Sequence, residues 1–152
     1  MSIRRLRISQ LRNIRQAELE LRRVNLLCGP NGSGKTSVLE AVHLLGMARS
    51  FRGNSIKSLI THGQSSCIAF GMAIYPGAAG SGVSLGVQRS AAGEALIKVA
   101  GSPVKSVAKP VESLPPQVTN ADSFESLSGA SGARTRCMGW RGFPLEQRFV
   151  EQ

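Results

Sequence analysis

Gly29-Pro30-Asn31-Gly32-Ser33-Gly34-Lys35-Thr36 decides the reading of this chain. It fits G-x-x-x-x-G-K-[ST], the P-loop pattern, at every fixed position. Its glycines let the backbone curl until successive N–H groups point inward around a phosphate. Lys35 adds a mobile point charge for β- and γ-phosphates, and the Thr36 hydroxyl can hold Mg²⁺. A helix that follows presents its positive dipole end to the same anion. Chance alone yields a full match in roughly one of a few hundred chains of this size. The flanks lower that further. Val24–Cys28 reads as a short buried strand, and Lys35 to about Met47 reads as a helix. Strand, glycine loop and helix are the context the motif needs. All eight residues from Gly29 to Thr36 are therefore predicted to bind phosphate, with Thr36 as the metal-binding hydroxyl.

On the N-terminal side, Ile3 to Ser9 alternates, with Leu6 and Ile8 on one face and Arg5 and Arg7 on the other. Ala17 to Leu21 alternates as well, and Asn13 marks a turn between them. These segments predict an antiparallel pair. Its polar face would set Arg5 and Arg7 near Glu18 and Glu20, which explains those arginines without a ligand. Arg12, Arg15, Arg22 and Arg23 find no such partners in the pattern. They are the better candidates for DNA or nucleotide.

On the C-terminal side, Val38, Leu39, Ala41, Val42 and Leu45 cover most of the predicted helix, leaving a polar stripe of Ser37, Glu40 and His43. Such a helix is expected to pack on two sides. Arg49–Gly53 is a basic loop, and Ser55 to Thr61 a short helix capped by Asn54 and ended by His62-Gly63. Cys67 to Tyr75, Val83 to Arg89 and Leu96 to Val99 read as strands. Between them lie loops at Pro76–Gly82 and Ser90–Gly93, and a hairpin tip follows at Gly101-Ser102. This is an antiparallel meander. Val104 to Ser113 is weakly helical, Gln117 to Asn120 reads as a strand, and Ser123 to Ser128 as a helical turn. After Gly129 no apolar period remains. The domain reading is 1–128 for the P-loop domain and 129–152 for a degraded or truncated tail.

The chain has 152 residues, 41% hydrophobic and 18% charged, enough for one domain with a core. No apolar run reaches the ~18 residues of a membrane helix, and no apolar leader follows Met1, so a cytoplasmic protein is expected. Cys28, Cys67 and Cys137 are widely spaced and form no C-x-x-C pair, which speaks against a zinc site or a disulfide framework. Net charge is +10, with 19 basic and 9 acidic residues, which suggests a polyanion partner. A nucleotide hydrolase also needs an acidic residue to order Mg²⁺ and a group to orient water. The one aspartate, Asp122, follows Val118-Thr119-Asn120-Ala121, which is not an apolar strand end. Hydrolysis is not expected from these residues alone.

Leu11-Arg12-Asn13-Ile14, Cys28 to Ala41, and Arg49-Ser50-Phe51-Arg52 together resemble the opening of the RecF family, relatives of the SMC ATPases. Asn31-Gly32 inside the loop is typical of that branch. The resemblance returns at Asn120–Gly129 and weakens at Arg134–Trp140, where Gly139 stands in place of the family's aspartate. It covers less than half of a family member, as in a fragment or truncated copy. It implies an α/β fold: an incomplete P-loop ABC-type ATPase lobe, with a mixed sheet and an antiparallel meander. It implies ATP and Mg²⁺ as cofactors, with Arg12 and Asn13 bordering the nucleotide, and slow DNA-dependent hydrolysis in whole family members. It further implies an ATP-dependent homodimer, binding to single-stranded or gapped duplex DNA, and action with RecO and RecR in recombinational repair, replication and the SOS response. Arg134, Arg136 and Arg141 join the N-terminal arginines as DNA candidates. Two other readings compete. One is an ATPase subunit of another ABC-type system, which Asn31 disfavours. The other is a truncated product that binds nucleotide or DNA weakly and is no enzyme.

Overall fold

The computed structural model describes residues 2–53, 55–74 and 82–104. The elements expected beyond residue 104, the Pro76–Gly82 loop (apart from Gly82), Asn54, Cys137 and the arginines at 134, 136 and 141 lie outside them. Six strands form one sheet: β1 (Ser2–Leu11), β2 (Ile14–Glu20), β3 (Ser66–Ile74), β4 (Val83–Ser90), β5 (Ala95–Val99) and β6 (Ser102–Val104). Their order is β2-β1-β3-β4-β5-β6, and every pairing is antiparallel. Among the described residues two helices intervene, α1 (Lys35–Met47) and α2 (Ile56–Leu59). The hairpin, the helix and the meander predicted above are present.

The period-2 pattern explains the sheet. Leu6, Ile8, Cys67, Ala69, Ala73, Leu85, Val87 and Ile97 point to one face and are buried. Pairing shifts between Ile3 and Arg5, an irregularity that lets Ile3 and Leu6 both face inward while Arg4 and Arg5 face out. α1 lies on this inner face against β1, β3 and β4. Gly71 permits the contact, since a Cβ there would stand 2.7 Å from Leu45 Cδ1. At the far edge, Ala100 and Gly101 take φ of 50° and 81°, as a two-residue hairpin turn with the twist of its strands requires. β6 therefore includes Val104, which the sequence placed at the start of a weak helix.

Two expectations are corrected. Val24–Cys28 is not a buried strand. Pairing of β2 with β1 ends where the Leu21 N–H donates to the Arg4 carbonyl at 2.8 Å, and the chain then runs as exposed coil. Val24 and Leu26 are 87% and 86% exposed. An apolar run becomes a strand only where a neighbour completes its ladder, and no described strand lies beside it. The sheet described is accordingly antiparallel throughout, with few helices. The second correction concerns α1. Its supposed polar stripe is inside, with Ser37 and Glu40 buried, while Leu39 is 51% exposed. Among the described strands α1 packs against β1, β3 and β4, and its inward polar groups are held by partners described below.

Candidate functional site

Three pieces of chain meet at the N-terminus of α1. The first is the P-loop. Gly32 and Gly34 have φ of 82° and 98°, left-handed values that glycine adopts without a Cβ penalty. Gly34 is also tightly enclosed, since a Cβ there would lie 3.3 Å from Ile14 and 3.4 Å from Asn13. α1 starts at Lys35 with no side-chain cap and no acidic residue in its first turn. Its first N–H groups and its dipole therefore remain available to an anion. Lys35 Nζ donates to the carbonyls of Gly29 and Pro30, both at 2.8 Å, which holds the ammonium over the loop.

The second piece is the turn of the β1–β2 hairpin. Asn13 braces the loop, donating from Nδ2 to the Gly32 carbonyl at 2.7 Å and accepting from Ser37 Oγ at 2.8 Å. Arg12 beside it has φ 54°, an uncommon conformation for a residue with a side chain. Its backbone N–H donates to the Leu59 carbonyl at 2.8 Å. Its guanidinium donates twice to Glu40, Nε to Oε2 and Nη2 to Oε1, each at 2.8 Å. This corrects the expectation that Arg12 lacks a partner. The partner sits 28 positions away, beyond the reach of a cross-strand pattern.

The third piece is the segment after α1. Ser50 Oγ donates to Glu40 Oε1 and accepts from the Arg52 backbone N–H at 2.9 Å. His43 Nδ1 lies 2.9 Å from the Arg49 carbonyl, and its ring meets Phe51 edge-on at 5.4 Å. Burial holds the pKa of His43 below its ordinary value, so the neutral ring donates from Nδ1. Burial pushes the Glu40 carboxyl up, yet the hydrogen bonds from Arg12 and Ser50 and the charges of Arg12 and Arg52 outweigh it. The net shift is downward, and Glu40 is an anion. The hydrogen bond to Glu40 in turn raises Arg12 above its usual value, against burial that acts the other way.

Together these pieces line an open cleft of about 560 Å³. Of the predicted site residues, Asn31, Gly32, Gly34, Lys35 and Thr36 line it. Gly29, Pro30 and Ser33 are not among its lining residues; Gly29 and Pro30 supply carbonyls to Lys35, and the Ser33 N–H donates to the Pro30 carbonyl at 3.3 Å. Arg12 and Asn13 border it as expected. Ser37, Arg52, Ser58 and Ile60 also line it; Ser37 and Arg52 were noted in the sequence, in the helix stripe and the basic loop, but none of the four was predicted as a site residue. For Ser37 a signal was present, since it follows Thr36 directly. For Ser58 and Ile60 none was, because only the tertiary fold carries them there. Arg15, Arg22 and Arg23 are exposed and away from this cleft. Cys28 is exposed and Cys67 buried.

The model of the RecF/RecN/SMC N terminal domain matches residues 2–109. The chain belongs to the RecF/RecN/SMC N-terminal domain family. Two curated relatives, both named DNA replication and repair protein RecF, come from Azotobacter vinelandii and Pseudomonas entomophila. Each is 44% identical over 99% of this chain and 41% of its own length. The chain thus spans about two fifths of the length of the RecF relatives it matches. Among solved structures, the recombination mediator protein RecF-ATP in the RecFOR pathway is similar at a TM-score of 0.77. It is 24% identical and covers 91% of this chain and 39% of that one. A structure from work on ATP-driven dimerization and DNA stimulated activation of SMC ATPases is similar at 0.69. It is 14% identical and covers 91% of this chain and 98% of that one. These likenesses carry the fold: the lobe is that of RecF and SMC ATPase heads.

Proposed function

We propose that this chain binds the phosphates of ATP in the cleft at the N-terminus of α1, as the nucleotide-binding part of a RecF-like protein of DNA replication and repair. The observation that carries the reading is convergence. An uncapped helix N-terminus, Lys35, Thr36 and Arg12 face one open cleft with no acidic residue among its described lining residues. Cationic and N–H groups gathered around an empty volume fit a polyphosphate. The similar RecF-ATP structure supports ATP as the nucleotide. Gly29 to Thr36 form the cradle, and Lys35 would turn from its loop carbonyls to the β- and γ-phosphates.

Mg²⁺ fits the cleft in a limited way. Thr36 offers a hydroxyl at the lining, whereas Ser37 Oγ is engaged with Asn13 and the Glu40 carboxylate with Arg12 and Ser50. The ion would be held by Thr36, phosphate oxygens and water, and would neutralise phosphate charge. Among the described residues no free carboxylate lines the cleft to polarise an attacking water, so the reading stops at binding. Titration of ATP with Mg²⁺ tests it. Lys35→Ala should weaken binding by about 1.5–3 kcal/mol, the worth of a charge-assisted contact. Equal affinity for both proteins would remove the P-loop as the site.

The wider role is part of the same proposal. Residues 1–128 would be the N-terminal part of the head of a cytoplasmic RecF-like protein and 129–152 a degraded tail. With the rest of a RecF chain it would dimerise on ATP, bind single-stranded or gapped duplex DNA, and act with RecO and RecR in gap repair and the SOS response. The RecF name of the relatives and the net charge of +10 support this. Arg15, Arg22 and Arg23 are exposed and have no ion-pair partner among the described residues. Phosphate contacts of this kind read no sequence, and affinity for DNA should fall steeply with salt. Single-strand and duplex affinities across a salt series check this. A flat response would discard the DNA half of the proposal.

A further inference from the structure

Glu40 is a fully buried carboxylate in the helix that begins at the P-loop. A charge so placed is costly unless every oxygen is engaged. Oε2 accepts from Arg12 Nε, and Oε1 accepts from Arg12 Nη2 and from Ser50 Oγ. The carboxylate therefore grips one edge of the guanidinium in a two-bond fork. A guanidinium has five N–H donors, and this grip uses two of them. The remaining donors belong to Nη1 and the outer side of Nη2. Arg12 itself is one of the residues lining the cleft, with Lys35 and Thr36.

The same carboxylate reaches the third wall. Ser50, bonded to Glu40, accepts the Arg52 backbone N–H, and the Arg52 side chain lines the cleft. One anion thus ties the hairpin turn, the P-loop helix and the 49–52 segment together. Arg12 is fixed at both ends, its strained backbone by the Leu59 carbonyl and its side chain by Glu40. An arginine anchored in this way presents its free edge without first losing side-chain freedom, which is how a binding group is made ready before its ligand arrives.

We propose that Glu40 is a positioning residue for nucleotide binding: it aims the free edge of Arg12 at the bound phosphates and holds the Arg52 segment beside them. This rests on the ATP-binding reading above. Glu40 does not touch the nucleotide and acts only through its partners. A purely structural role would hold the fold equally well without any effect that depends on Arg12.

The test is a double-mutant cycle on ATP affinity, measured by calorimetry with Mg²⁺ on the whole chain. Arg12→Gln should weaken binding about tenfold or more, the worth of a hydrogen bond to a charged group. Glu40→Gln keeps the shape but loses the grip, and should weaken it several-fold. The double variant should lose clearly less than the sum of the two single losses, since without Arg12 only the Ser50 and Arg52 arm of Glu40 remains to be lost. Additive losses would overturn the proposal. Should the single variants unfold, the pair Arg12→Met with Glu40→Leu removes both charges and leaves neither buried alone. That protein should fold, by thermal unfolding, and bind ATP at least about tenfold more weakly than the parent. Parental affinity would overturn the proposal. Lys35→Ala separates the two levels. If it leaves affinity unchanged, the ATP reading falls and this inference with it. If it abolishes binding while the cycle is additive, only the role of Glu40 falls.

Discussion

Arg7 and Arg12 lie on the same hairpin, and each meets a glutamate. Arg7 Nε stands 3.1 Å from Glu18 Oε1 across the β1–β2 ladder, with the two side chains 55% and 48% exposed. Arg12 Nη2 stands 2.8 Å from Glu40 Oε1, with exposures of 20% and 0%. The residue types are the same and the distances similar. What differs is water. The Arg7 pair, with Arg5 beside it on Glu18, forms a solvated face whose charges are screened and whose side chains would be hydrated anyway. The Arg12 pair is largely removed from solvent, so each partner depends on the other. A count of ion pairs would treat them alike. Burial separates a contact that decorates the sheet from one that builds the cleft.

The largest expected effect breaks the buried pair from one side. Glu40→Ala leaves the largely enclosed Arg12 guanidinium without its anion and opens a cavity under α1. Loss of one partner of a buried pair costs about 3–5 kcal/mol. Urea unfolding followed by circular dichroism should show that loss as a lower midpoint. A change below about 1 kcal/mol would mean that the pair is solvated in practice and that the contrast with Arg7 fails.

Acid probes the same difference without mutation. Glu40 has a folded-state pKa below its ordinary value, so the folded protein favours the carboxylate more than the unfolded chain does. That stability is complete above the ordinary carboxylate pKa and is lost as pH falls through the lowered folded value. His43 is also depressed, by burial, and contributes in the same direction at higher pH. Its share is complete above the imidazole range near 6.5 and declines as pH falls toward its folded value. Stability should therefore descend in two stages on acidification. Glu40→Gln should lack the lower stage and keep the upper. Parallel pH profiles for the two proteins would show that Glu40 is not the acid-sensitive group.

How far this contrast was legible in the sequence depends on the range of the interaction. The Arg5 and Arg7 partners were readable, because alternation and a turn at Asn13 fix a register in which Arg7 faces Glu18 and Arg5 faces Glu20. The boundaries of α1 were readable too, since Gly34 and Met47 bracket a local pattern. The P-loop was readable because its function needs specific residues in immediate succession. Glu40 was not. In the helix it is one polar residue among several, and only its closeness to Ala41 and Leu44 on the inner face hinted at burial. Its partner lies in another element, joined by tertiary packing alone. Val24–Cys28 failed for the converse reason. Its apolar residues satisfy a local strand rule, but a strand is completed by neighbours that local sequence does not contain.

The smallest expected effect sharpens the comparison from the other side. Glu18 meets both Arg7 and Arg5, with Arg5 also 4.0 Å from Glu20, so the outer face carries a small network rather than one pair. Networks hold better than isolated pairs, yet Arg5, Arg7 and Glu18 are about half exposed, Glu20 is more so, and each keeps its hydration. Glu18→Gln should therefore cost about 0–1 kcal/mol in low salt, and less as salt rises, because the Debye length shrinks to roughly 3 Å at 1 M. Cross-strand packing of the remaining glutamine stem is kept, so the loss reports charge alone. The useful measurement is the pair of unfolding curves at low and high salt for Glu18→Gln and Glu40→Gln together. The Glu18 deficit should vanish in high salt while most of the Glu40 deficit persists, since ions do not enter the space between Arg12 and Glu40. If both deficits vanish together, the buried pair is accessible to solvent, and the cleft would have to be assembled by Asn13 and the loop glycines without it.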